Sequence, residues 1–113
     1  MSTSRDFQLR IRLGEVMLGP GKAELLEGIR DTGSISAAGR GMSMSYRRAW
    51  QLVEQLNGYF GAPVVATLTG GRGGGGAELT PLGREVLAIY RRAEQRCAEA
   101  MAEDIARLHA MAR

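Results

Sequence analysis

A mostly helical α+β fold is predicted by three features of this 113-residue sequence. Apolar residues recur at helical spacing over most of its length, with Ser, Thr and Gly where helices should begin and end. Two stretches read instead as strands, one alternating near the N-terminus and one flanking a glycine run. The C-terminal segment carries a single unbroken helical stripe. A domain spans ~100–200 residues, so one folded unit is expected.

Phe7, Leu9, Ile11 and Leu13 alternate with Gln8, Arg10 and Arg12, the pattern of a strand with one buried side. Gly14 interrupts it, Val16-Met17-Leu18 forms a second short strand or a turn extension, and Gly19-Pro20-Gly21 closes the segment. A first helix from about Lys22 to Asp31 buries Leu25, Leu26 and Ile29, and Gly33 stops it. Ser34 caps a short second helix, Ile35 to about Met42, whose Ala37, Ala38 and Gly39 permit close approach to a neighbour. Ser43-Met44 makes a tight connection. Ser45 then caps a third helix, Tyr46 to about Asn57, with Ala49, Val53 and Leu56 as its core stripe and Gly58 as its end.

After Pro63, the β-rich run Val64 to Leu68 and the short Ala77-Glu78-Leu79 flank Gly70 to Gly76, which predicts a hairpin. Thr80 caps the last helix, with Pro81 at its first position. Leu82, Val86, Ile89, Tyr90, Ala93, Cys97, Met101, Ile105 and Leu108 carry its stripe to about Met111. At 1.5 Å per residue such a helix is roughly 45 Å long, whereas a compact chain of this size has a radius of gyration of ~13 Å. The helix must overhang its own domain. An overhanging apolar seam needs another chain, so a homodimer is predicted through Leu82, Val86, Ile89, Tyr90, Ala93, Cys97 and Met101. The charged residues beside the seam, such as Arg91, Arg92, Glu94 and Glu99, are expected to be a solvated exterior.

A short helix, a tight turn, a capped helix and a two-stranded ribbon, in that order, make a winged helix-turn-helix. Residues 1–79 are assigned to it and residues 80–113 to a dimerisation helix. Charge agrees with a polyanionic partner. The net charge is +3, and the whole excess falls between Arg40 and Arg72, where Arg40, Arg47, Arg48 and Arg72 face only Glu54. Every basic residue except Lys22 is arginine, which suits phosphate and guanine edges, although a GC-rich genome explains that bias as well.

On the third helix, Tyr46, Arg47, Trp50 and Gln51 fall on the stripe opposite the core. Arg47 is expected to make a bidentate contact to guanine rather than to be a solvated arginine. Gln51 has the geometry to read adenine, and a solvated glutamine fits it too. Trp50 is either a core residue bridging helix and wing or a stack against a sugar or phosphate. Ser43, Ser45 and Arg48 sit at the helix mouth, where they can bind phosphate, as can Ser34 and Ser36 at the start of the second helix. Arg72, at the tip of the glycine-rich wing, is expected to enter a minor groove.

Other chemistries find little support. The glycine run lacks the Lys-Ser/Thr ending of a phosphate-binding P-loop. His109 stands alone, no His/Cys/carboxylate group has metal-ligand spacing, and no enzyme activity or metal is expected. Cys97, the single cysteine, excludes an internal disulfide; it is read as a small buried residue or a contact between two copies. With neither a signal-peptide core nor a membrane span in sight, a cytoplasmic protein is expected.

The segment GSISAAGRGMSMSYRRAWQLVEQLN (residues 33–57), followed by TGGRGGGGAELTPLG (residues 69–83), closely resembles the N-terminal domain of the ModE-type, molybdate-responsive regulators. Its helix-turn-helix part also resembles the LysR-type regulators. The likeness covers about residues 7–100. It implies a dimeric winged-helix transcription factor joined through its long terminal helix, with Ser45, Tyr46, Arg47 and Trp50 on the recognition helix and Arg72 in the wing. Full-length members of the family carry C-terminal molybdate-binding domains, and this sequence stops where they would begin; no cofactor is therefore expected, molybdate included. Double-stranded DNA and a second copy of the chain are the expected partners. Two other roles are weighed: a partner that forms mixed dimers with a full-length paralogue without binding DNA itself, and a small oxyanion sensor.

Overall fold

Ser34, Ser45 and Thr80 each open a helix in the computed structural model, which describes residues 6–71 and 74–113. Their hydroxyl oxygens accept the backbone N–H of Ala37, Arg48 and Gly83 at 2.9, 3.0 and 3.0 Å, filling donors that the first turn of a helix leaves unpaired. The elements run β1 (Ile11–Leu13), β2 (Val16–Leu18), α1 (Pro20–Thr32), α2 (Ile35–Gly41), α3 (Tyr46–Phe60), β3 (Val65–Gly71), β4 (Gly74–Leu79) and α4 (Pro81–Ala110). The fold is the predicted α+β winged helix-turn-helix with a long C-terminal helix.

Several boundaries differ from expectation; in the wing, β3 runs to Gly71 and β4 starts at Gly74, so the strands reach into the glycine run. Burial alternates from Phe7 to Leu13, yet only Ile11–Leu13 finds a partner strand, pairing antiparallel with Val16–Leu18. The first helix starts at Pro20 rather than Lys22, because proline at that position gives up only an N–H that would be unpaired anyway. The third continues past Asn57 to Phe60. A Cβ at Gly58 would meet nothing, so that glycine imposes no stop; the left-handed residue that ends the helix is Gly61, at φ 66°.

Close backbone approaches build the core. A Cβ on Gly28 of α1 would lie 2.9 Å from Ala38 Cβ of α2, and one on Gly39 would lie 3.2 Å from Ala49 Cβ of α3. The three helices thereby enclose Leu25, Leu26, Ile29, Val53 and Leu56, all fully buried. The wing is tied on from two sides. Ala77 N–H donates to Gly33 O at 2.8 Å, and Val64 N–H donates to Asn57 Oδ1 at 2.8 Å. Within the wing, β3 and β4 pair antiparallel from Val65↔Leu79 outward, with an irregularity between Leu68 and Gly71.

The first turns of α4 belong to this core: Val86, Leu87 and Tyr90 are buried, and Tyr90 Oη donates to Leu9 O at 2.7 Å. Beyond Glu94 the helix leaves it. The molecule measures 57 × 27 × 22 Å with a radius of gyration of 16.3 Å, so the expected overhang is present.

The charged exterior of α4 is corrected in part. Arg92 and Glu99 are exposed. Arg91, however, makes a two-pronged contact with Glu27 of α1 (2.9 and 2.7 Å) and a third with Glu94 (2.7 Å), and Glu94 is buried. This cluster locks α4 onto α1. The hydrogen bonds it donates to Glu27 and Glu94 hold the Arg91 pKa above its ordinary value, so the guanidinium stays charged throughout the working range.

Candidate nucleic-acid interface

The turn between α2 and α3 fixes where α3 points. Met44 N–H donates to Gly39 O (2.9 Å) and Ser43 N–H to Arg40 O (3.0 Å), closing a loop of a few residues. Ser43 sits there at φ 58°, the one described non-glycine residue in the left-handed region. From this turn α3 presses Ala49, Leu52, Val53 and Leu56 onto the core. Its opposite stripe is left open.

On that stripe Tyr46 is 55% exposed, and Arg47 and Gln51 are exposed as well. Arg47, Trp50, Gln51, Glu54 and Gln55 line one open groove along the helix. Trp50 is half-buried and packs against the core, and it also lines this groove. Among the described residues neither Arg47 nor Arg48 takes part in an ion pair. Both guanidinium groups are therefore available to an incoming anion.

A second groove joins the two helix mouths to the wing. It is lined by Ser34, Ser36, Tyr46, Thr67, Leu68 and Gly76. Ser34 and Ser45 each use one acceptor lone pair on a cap, and a hydroxyl that caps in this way can also donate its proton to a phosphate. Ser36 Oγ accepts from Arg40 Nη1 at 2.9 Å, which steadies that arginine on the same surface. Ser43 and Arg48 are exposed at the mouth of α3. The fold thus gathers Ser34, Ser36, Ser43, Ser45, Tyr46, Arg47, Arg48, Trp50 and Gln51 around one helix-turn-helix. Arg72 lies outside the described residues.

The residues expected at a dimer seam divide. Val86 and Tyr90 are buried in the protomer's own core, and Leu82 packs against it. Ile89 is 46% exposed, while Ala93, Cys97 and Met101 are half-buried on the protomer. Farther out, Leu108 and Met111 are exposed. The apolar surface still open to another chain therefore runs from Ile89 toward the C-terminal end of α4. Two features escaped sequence reading. The Glu27–Arg91–Glu94 cluster spans 64 residues of sequence between Glu27 and Arg91, and its local sign was Glu94 one turn after the core residue Tyr90. Arg10 and Lys22, distant in sequence from α3, are brought beside it.

No family model matches the chain. Individual proteins do. The molybdenum-pterin-binding protein MopB of Rhodobacter capsulatus is 47% identical over 73 residues, which is 65% of this chain and 27% of that protein. The molybdenum transport protein ModE of Azotobacter vinelandii is 40% identical over 73 residues, again 65% and 27% of the respective chains. The DNA-binding transcriptional dual regulator ModE of Escherichia coli is 37% identical over 71 residues, 63% of this chain and 27% of its own. The matched segment spans about a quarter of these relatives and corresponds to their N-terminal part.

Proposed function

As a homologue of the N-terminal part of the ModE-type transcriptional regulators, this chain is, we propose, a sequence-specific DNA-binding regulator that acts as a homodimer. Residues 1–79 form the reading head and residues 80–113 the dimerisation helix. The observation that carries the reading is the stripe of Tyr46, Arg47 and Gln51, exposed on a helix whose other side is locked into the core. Arg47 contacts a guanine edge, Gln51 a neighbouring base, and the serines and Arg48 the flanking phosphates. Trp50 braces the helix, and Arg72 supplies a wing contact. Two copies joined through Ile89, Ala93, Cys97 and Met101 set their recognition helices in successive major grooves, ~34 Å apart, on a pseudo-palindromic site. The names of the relatives favour genes of molybdenum handling as targets, reached in the cytosol.

Selection of bound fragments from a random duplex pool tests this directly: a recovered palindrome supports both dimer and reader, and no enrichment defeats them. On the recovered site, Arg47→Ala should lower the ratio of operator to random-duplex affinity by about 5-fold or more, since a bidentate pair contributes ~1–3 kcal/mol of discrimination. An unchanged ratio in a gel-shift titration removes Arg47 from base reading. The exposed Leu108 and Met111 also suit a mixed dimer with a longer relative. Co-purification of such a pair, together with failure of the homodimer to bind DNA, would favour that second role.

A further inference from the structure

The chain before β1, the first turn of α1 and the first turns of α3 meet at a groove of about 430 Å³. Arg10, Lys22 and Arg48 stand around it with Gln8, Met44 and Leu52, and no carboxylate lines it. Each cation comes from a different segment, and two of them are held. Lys22 Nζ donates to Met17 O at 2.9 Å, and Arg10 Nη2 donates to Gln8 Oε1 at 3.0 Å. Glycine at position 19 lets the arm lie close, because a Cβ there would be 3.2 Å from Arg10 Cγ. Among the described residues none of the three cations is in an ion pair. Burial and then the charge of Arg48 lower the Lys22 pKa, as expected of cations that share a concavity without an anion between them.

The groove lies on the stripe of α3 next to the reading one. Arg48 and Leu52, one turn apart, line it, whereas Arg47 and Gln51 line the groove beside Trp50. An anion that fits it would therefore flank whatever α3 reads. We propose that Arg10, Lys22 and Arg48 clamp a phosphodiester of the DNA backbone beside the half-site, making the N-terminal arm part of the DNA-binding surface. The inference rests on the DNA-reading role proposed above. The clamp positions the duplex and carries no base preference.

The test compares Arg10→Gln/Lys22→Gln with Arg92→Gln/Arg107→Gln, which removes two charges from α4 instead. Affinity for the selected operator and for a scrambled duplex is measured over a salt series. Loss of one phosphate contact flattens the slope of log K against log salt by ~0.9, so the double variant, left with Arg48 alone at that phosphodiester, should lose up to ~0.9. Near 0.15 M salt its affinity should fall about 5-fold on both duplexes, leaving their ratio unchanged. The α4 control should keep the wild-type slope. A slope retained by the double variant overturns the clamp while leaving DNA reading intact. Absence of wild-type binding to any duplex defeats both. Titration with inorganic phosphate separates the remaining source: wild-type heat lost in the double variant, with an unchanged DNA slope, assigns the groove to a free oxyanion and also overturns the proposal. Should the double variant melt early, Arg10→Gln alone alters only an exposed side chain and should still flatten the slope, by less than ~0.9.

Discussion

Tyr90 shows how one side chain couples the long helix to the rest of the chain. It is fully buried, and its hydroxyl donates to the carbonyl of Leu9, 81 residues away. Burial first, and then the negative charge of Glu94, raise its pKa above the ordinary 10.0. A raised folded-state pKa means stability that is complete below the unfolded value and lost as pH rises through the folded one. Tyr90→Phe should therefore cost ~1–2 kcal/mol near neutral pH, because the Leu9 carbonyl loses its donor. That difference from wild type should shrink above about pH 10, where only the wild type must ionise a buried phenol. Urea unfolding of both proteins from about pH 7 to about pH 11 reads the gap; a constant gap would mean that the phenol titrates as in a free peptide.

Among the elements, the junction of wing and long helix depends on a glycine. A Cβ at Gly83 would collide with the carbonyl oxygen of Val64. Thr80 sits in the same knot, its N–H donating to Val64 O (3.0 Å) and its hydroxyl to Pro63 O (2.8 Å). Because the obstacle is backbone, α4 would have to shift as a body. Gly83→Ala should destabilise by ~2–3 kcal/mol, within the range for overpacked cores. The contrasting change is Gly58→Ala, on an open surface of α3 with nothing near its Cβ, which should stabilise by ~0.5–1 kcal/mol through helix propensity. Thermal melts that moved the two variants in the same direction would contradict this account.

At the scale of the whole molecule, the end of α4 is the open question. A radius of gyration of 16.3 Å, against ~13 Å for a compact chain of this size, measures how far the helix leaves its domain. Of the residues proposed for the seam, Ile89 costs the protomer least to change, being 46% exposed. Ile89→Asp should keep the melting temperature of the isolated protomer while shifting sedimentation from dimer to monomer at micromolar concentration. Operator affinity should then fall by at least about 10-fold, since one half-site forfeits the contacts of the other. A dimer that survives Ile89→Asp would move the interface farther along the helix.

The sequence alone determined what is local. Capping hydroxyls at Ser34, Ser45 and Thr80 and the left-handed stop at Gly33 follow from backbone donors and φ angles within a few residues. The period of the apolar residues on α3 likewise told its core side from its exposed side. What depended on contacts distant in sequence was decided only by the tertiary structure. Gly58 looked like a stop, but nothing around it requires one. Arg91 and Glu94 looked solvated until Glu27 was placed opposite them. The same holds for the charge. An excess that the sequence confined to residues 40–72 gains Arg10 and Lys22 beside Arg48 once the arm, α1 and α3 converge. Burial and electrostatics act through space, and only the packed chain fixes which charges become neighbours.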